Sequence, residues 1–236
     1  MKLAVKFFLI TGLSICSLQA SAQTLTIAYI EHDLLVPVSR EVLSEAYHKL
    51  GIDLKFAAYP NLRALKMANS GEVDGELQLM AGLADTYPNL IQVPQAIQKI
   101  SWHTFAKETS IEIMDWPSLA DFTIVMPAGS AYTKKMTSGM DVYFVDDQKN
   151  LFAMLNKGRT EVAVASITAG LSYLGKSENS HIKVSHQPVA ERLLFHYLHV
   201  KHKKLVSEIN KILLQMQAYG RINQIRRQYL TSLRKD

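Results

Sequence analysis

The chain has 236 residues, 48% hydrophobic and 20% charged, with a formal net charge of +5. This composition excludes a disordered chain and is long enough for one large core or two small domains. A single cysteine excludes a disulfide-stapled mini-scaffold. The basic residues are spread out, and those near the C-terminus (Lys201, Lys203, Lys204, Arg221, Arg226, Arg227, Arg234) read as a solvated helix face, with no nucleic-acid partner expected.

The first residues follow the three-part plan of a secretory signal peptide. Lys2 and Lys6 precede an apolar run from Phe7 to Leu18, and Ala20-Ser21-Ala22 offers small residues for cleavage. The run is too short to span a bilayer, and no later stretch reaches about 18 apolar residues. Residues 1–22 are therefore expected to be removed near Ala22, leaving a periplasmic chain that starts near Gln23. Loss of Lys2 and Lys6 lowers the charge from +5 to +3. Cys16, in "LSIC", follows Ile15 where a lipoprotein site wants a small residue, so the Ala20-Ser21-Ala22 site is preferred and the mature chain has no cysteine.

From Leu25 onward strands and helices alternate. "LTIAYI" reads as a strand. Leu35, Val38, Val42, Leu43, Ala46 and Leu50 keep helical spacing, with Pro37 in the first turn and Gly51 past the end. "IDLKF" alternates as a strand does. Asn61 is placed to cap the next helix, whose buried side is Leu62, Leu65 and Met67-Ala68 and which ends at Gly71. "VDGELQL" is extended again. A β-α-β-α-β series of this kind predicts parallel strands, with ligands beyond their carboxyl ends. That rule selects Glu31-His32-Asp33, Tyr59 and Glu76. A long extended segment then runs to Phe105, and a second α/β series follows: "FTIVM", a helix after "PAGSAYTKKM", "DVYFV", a helix closed by Gly158, "EVAVA", and a helix opening at "SITAGLSYL". The chain is extended once more through "LLFHYLHV" and ends in two helices separated by Gly220.

No catalytic, phosphate-loop or dinucleotide motif is present. His196, His199 and His202 are spaced by three, which scatters them over both faces of a strand, so neither a metal nor a cofactor is expected. Gly129-Ser130 and Ser166-Ile167-Thr168 each lie at a strand-to-helix turn, where exposed amides and a hydroxyl suit an anion. Taken alone, an ordinary serine cap is the better reading of each; two such turns in the second series could face one cleft. Arg63 is either a surface residue or a partner for Asp74 or Glu76. Trp102 is either core or an apolar ligand wall.

In their order, three segments resemble extracellular solute-binding proteins of the amino-acid-binding type that serve ABC transporters. "RALKMANSGEVDGEL" (63–77) resembles the first-lobe helix, glycine and strand. "WPSLADFTIVMPAGSAY" (116–132) resembles the entry to the second lobe. Residues 193–230 are similar to the return crossing and closing helices. The resemblance covers essentially the whole mature chain. It implies an α/β, two-lobed periplasmic-binding-protein-like fold (type II) with two crossing strands as a hinge. Residues 23–100 would open the first lobe, 101–186 form the second, and 187–236 return to the first. It further implies a monomer that closes on a small polar molecule without chemistry, partnered by an ABC permease or a membrane sensor. The implied ligand-binding set is Glu31, Arg63 and Glu76 from lobe one, Ser130, Tyr132 and Ser166 from lobe two, and Trp102 near the hinge. Such binders commonly carry a Ser/Thr run and an arginine after the first-lobe strand. Here that region is "GELQLMAGLADTYPNL", and Lys66 is the only basic residue between Arg63 and Lys99. The alternatives are a small dehydratase-like enzyme on the same scaffold, with Glu76 or Asp74 as general base, and a ligand sensor.

Overall fold

A computed structural model describes residues 23–83, 85–107, 115–174 and 181–233. The expected signal peptide lies outside the described residues. The first half-sheet is built on β1 (Gln23–Ile30), β2 (Ile52–Tyr59) and β3 (Gly75–Leu79), joined by helices α1 (Val36–His48) and α2 (Asn61–Ser70). β1 pairs in parallel with β2 along its whole length, from Gln23↔Ile52 to Ile30↔Tyr59, and with β3 at Ile27↔Gly75 and Ala28↔Glu76. The expected β-α-β-α-β series is thus what forms. One detail differs. Asn61 is the first residue of α2, and Pro60 stands in the N-cap position with φ −55° and ψ 145°. Proline's fixed φ and missing N–H suit a helix start, so the ring sets the entry there. At the other end Gly71 takes φ 80°, the left-handed turn that lets the chain leave the helix.

The second half-sheet contains β6 (Ile124–Pro127), β7 (Val142–Val145) and β8 (Val162–Ser166), with α3 (Ala131–Met136), α4 (Gln148–Asn156) and α5 (Ile167–Leu174). β6 pairs in parallel with both β7 and β8. Two long strands join the halves. β5 (Gln98–Ala106) and β10 (Ala190–His199) run antiparallel from Ala190↔Trp102 to Leu194↔Gln98. Beyond that stretch β10 pairs with β3, and β5 pairs with β8. The strand order is β2-β1-β3-β10-β5-β8-β6-β7, with short β4 (Leu90–Gln92) on β10 and β9 (Lys183–Val184) on β5. These are the two crossing strands expected from the sequence.

Helices α6 (Lys203–Ala218) and α7 (Arg221–Ser232) return to the first half, where Ile209, Leu213, Met216, Ile222 and Ile225 pack with α1 against Leu25, Ile27 and Leu77. The opposite face of that half-sheet is covered by α2, through Ala64, Leu65 and Ala68 against Ala28 and Tyr197. Each such apolar side chain taken from water contributes about 1.5–3 kcal/mol. Among the described residues no helix is long and apolar enough to cross a membrane.

β3 carries a bulge that positions polar groups. Glu76 pairs with Tyr197 and Leu79 with Phe195, so three steps on β3 oppose two on β10. The extra residue puts Leu77 and Gln78 on one side, that of α1, while Glu76 and Leu79 lie on the α2 side. Just before the strand, Asp74 fastens three elements. It accepts from the Thr26 amide at 2.7 Å, from His202 Nε2 at 2.7 Å and from Lys201 Nζ at 2.9 Å. Burial opposes the charged carboxyl, but these bonds together outweigh it and hold the Asp74 pKa below its usual range. Asp74→Ala leaves the Thr26 amide without its acceptor, and we expect a loss of about 2 kcal/mol in urea unfolding at pH 7. An Asp74→Ala variant as stable as the wild type at pH 7 would show Asp74 to be idle.

Candidate functional site

The sequence candidates fall into three groups. On the first-lobe rim, Glu31 follows β1, and its amide donates to Tyr59 O at 3.0 Å. The Arg63 guanidinium lies 5.7 Å from the Tyr59 ring centroid. Tyr59 thus links Glu31 and Arg63, and both are exposed. Arg63 does not meet either proposed acid. Asp74 is taken by Lys201 and His202, and Glu76 lies on the other side of α2's packed face. Between Glu31 and Asp33, His32 holds φ 62°, a left-handed conformation rare for a residue with a side chain.

Glu76 stands apart from both rims. It is 0% exposed, flanked in the sheet by Ala28 and Tyr197, and neither carboxyl oxygen has a hydrogen-bond partner among the described residues. Burial drives its pKa well above the usual carboxylate range, and the negative charge of Asp33 adds to that. The Leu77 backbone amide opposes these two effects and is the smallest of the three influences. The expectation that Glu76 faces the cleft is therefore corrected: its neighbours on that face of β3 are the apolar residues under α2. A carboxyl so enclosed has no access to a substrate, which removes the geometric basis for the dehydratase alternative with Glu76 as base.

Of the second-lobe candidates, Tyr132 and Ser166 both meet Trp102, while Ser130 lies in its own depression. Trp102 pairs across the sheet with Ser166, the last residue of β8. Its ring lies 5.1 Å from that of Tyr132 and 6.2 Å from that of Trp116. Trp116 Nε1 donates to the Tyr132 hydroxyl at 3.2 Å. Ser130 and Ser166 both act as helix caps, accepting from the amides of Thr133 and Ala169 at 3.2 Å. Among the described residues neither hydroxyl donates a hydrogen bond. Ser130 also lines a depression of about 340 Å³ with Gly129, Lys134 and Phe144.

Sequence reading missed a polar cluster at the base of the hinge. Gln78, turned to the α1 side by the bulge, donates to Asp33 Oδ2 at 2.7 Å and accepts from Ser39. Gln98, at the start of β5, donates to Leu35 O at 2.9 Å and approaches both Ser39 and Gln78. Burial raises the Asp33 pKa, against the bonds from the Leu35 amide and Gln78. These residues are scattered over 65 positions of sequence, from Asp33 to Gln98, and share no motif. Trp116 was also missed as a ring partner. The available signal was that the chain has two tryptophans, both on the approach to the second lobe. From the first lobe, Met80 packs against the Trp102 cluster, and Leu34 packs against the cluster around Phe105.

No family model matches the chain. Over 101 residues it is 27% identical to an uncharacterized protein of Shewanella oneidensis. The match takes in 42% of this chain and 38% of that protein, so the chain spans well under half the length of that relative. Among solved structures, the GluR0 ligand-binding core in complex with L-glutamate superimposes with a TM-score of 0.72 at 14% identity, over 89% of this chain and 99% of that one. The amino acid ABC transporter substrate-binding protein AbpA from Streptococcus pneumoniae, bound to L-arginine, gives 0.67 at 11% identity, over 92% and 98%. A histidine kinase sensor domain with similarity to periplasmic binding proteins gives 0.67 at 13% identity, over 88% and 96%. The chain therefore has the mixed α/β, two-lobed type II fold of the periplasmic binding proteins.

Proposed function

We propose that this is a periplasmic solute-binding protein that captures a small polar molecule between two lobes, without chemistry. Residues 1–22 serve as its signal peptide, 23–100 and 187–236 form the first lobe, and 101–186 form the second. Ligand contacts come from Glu31 and Arg63 on one rim and from Trp102, Ser130, Tyr132 and Ser166 on the other. Glu76 supports the first wall from beneath α2. The observation that carries this reading is the pair β5–β10. β10 pairs with β3 of the first half-sheet and with β5, and β5 pairs in turn with β8 of the second, so the two strands link the halves as a hinge with candidate side chains on either side. Solved structures of this architecture hold L-glutamate or L-arginine, which makes amino-acid-like molecules the first probes. Delivery to an ABC permease is the favoured role. The likeness to a kinase sensor domain supports a second reading, presentation to a membrane sensor.

Thermal unfolding of the processed chain against a panel of metabolites tests this. A ligand that binds only the native state stabilises it by about 4 kcal/mol at a thousandfold excess over Kd, which is several degrees in Tm. The expected result is a rise for a small, chemically related subset. No rise for any compound, with folding verified by circular dichroism, would overturn the reading.

A further inference from the structure

The stretch that leads through β3, between Arg63 and Lys99, offers little positive charge to a ligand. Lys66 is the only basic residue between Arg63 and Lys99, and the Arg63 guanidinium rests against Tyr59 at the rim. The hinge supplies another cation. Arg192 is carried on β10 opposite Ile100 of β5, one pair away from Ala190↔Trp102. Side chains alternate along a strand, so Arg192, Ile100, Trp102 and Ala190 share one face. That face is the one packed with Tyr132, Trp116 and Met80. The other face carries Lys99, Glu191 and His103 and is turned towards α7, whose Arg226 senses the charge of Glu191.

On the Trp102 face, the Arg192 guanidinium sits 4.6 Å from the Tyr132 ring centroid. The ring is itself held by Trp102 and by the Trp116 hydrogen bond. Among the described residues Arg192 makes one hydrogen bond, from Nη1 to the Glu191 carbonyl, at 2.8 Å. The nearest acid in sequence, the Glu191 carboxylate, is taken on the opposite face by Lys99 Nζ at 2.6 Å. Among the described residues no carboxylate pairs with Arg192, and its side chain is exposed. With Nη1 engaged, the Nε–Nη2 edge of the guanidinium makes no bond among the described residues, and such an edge matches a carboxylate in two parallel bonds. Its orientation is fixed before any ligand arrives, which lowers the ordering cost of binding.

We propose that Arg192 grips the carboxylate of the bound ligand from the hinge strand, while the Trp102–Tyr132 wall takes the ligand's apolar part. This rests on the solute-binding reading and narrows it to small carboxylates, free amino acids among them. The test uses the processed full chain as wild type, Arg192→Gln and Arg192→Lys. Probes are the twenty L-amino acids, C3–C6 mono- and dicarboxylates, the carboxamide of each compound that binds, and diamines and polyamines without a carboxyl group. Thermal shift and then calorimetry are expected to find that binders carry a carboxylate and that the matching amide is at least about tenfold weaker. Arg192→Gln should raise Kd for the acid by about 30-fold and abolish the difference between acid and amide. Arg192→Lys should keep the charge preference at reduced affinity, because a point charge lacks the fork. A purely structural Arg192 would alter Tm and leave the acid–amide ratio unchanged. Carboxylate binding undiminished in Arg192→Gln, or amines as the best binders, would overturn the assignment and leave the solute-binding reading intact. Binding of no probe by the wild type would overturn both.

Discussion

Gly170→Ala is expected to destabilise the protein by about 3 kcal/mol, although alanine is the better helix former by about 1 kcal/mol. Gly170 lies in α5, and a Cβ there would overlap the ring edge of Phe105 on β5. Phe105 is fully buried and has nowhere to retreat. It meets Phe152 edge-on with centroids 5.4 Å apart, and Phe152 is stacked on Tyr173 at 4.1 Å and 9°. Room for one methyl group must therefore come from moving three rings or lifting α5 off the sheet. Urea unfolding measures the loss. Phe105→Leu, which also costs stability alone, should recover part of it when combined with Gly170→Ala. The recovery appears as a coupling energy between the two positions. Strict additivity would show that α5 moves instead.

The second large effect concerns Glu76 and pH. Its folded-state pKa is raised by burial, so the carboxyl is neutral in the fold over a range where the unfolded chain is charged. The stability linked to that neutral form is complete below the unfolded pKa near 4.5. It falls as pH rises, by about 1.4 kcal/mol per unit, until the folded carboxyl also ionises. Nearby His196 acts in the opposite sense. Burial lowers its pKa to about 4, and the neutral ring is held between the Tyr47 hydroxyl and Glu76 O at 2.9 and 2.8 Å. Its stability is complete above the unfolded value of 6.5 and is lost as pH falls towards 4. The two slopes oppose each other between pH 4.5 and 6.5, so one curve alone hides both. The difference between wild type and Glu76→Gln isolates the carboxyl. The variant should gain on the wild type steadily as pH rises above 4.5. Parallel curves from pH 4 to 8 would mean that Glu76 ionises as freely in the fold as outside it.

The regular frame was readable from local patterns. Strand and helix periods, Gly71, Gly158 and Gly220 as breaks, and the two long extended segments all correspond to real elements, since each is decided within about ten neighbouring residues. The site was readable only in part. Trp102, Tyr132 and Ser166 adjoin because two strands and a helix converge. The strand-to-helix turns at Ser130 and Ser166 were the visible hint. Glu76 shows where the pattern misleads. Alternation alone would put Glu76 and Gln78 on the same face, but the bulge sends Gln78 to α1 and leaves Glu76 among apolar neighbours. A bulge depends on the register with a strand 120 residues later, which no local window contains. Arg192 escaped for a similar reason. Its meaning lies in the ring beneath it, sixty positions away.

β10 belongs to two sheets at once. Its first half closes the sheet that holds β5, and its second half seals the edge of β3. A chain cut at residue 186 would therefore lose its last hinge strand and expose the backbone edge of β3. It would also strip the first-half core of Ile209, Leu213, Met216, Ile222 and Ile225. Neither half can be complete before residues 187–236 have arrived, so the N-terminal half depends on chain made long after it. Once made, the protein should melt as one cooperative unit rather than as two, with a single denaturation transition shared by probes in Trp102 and in α1.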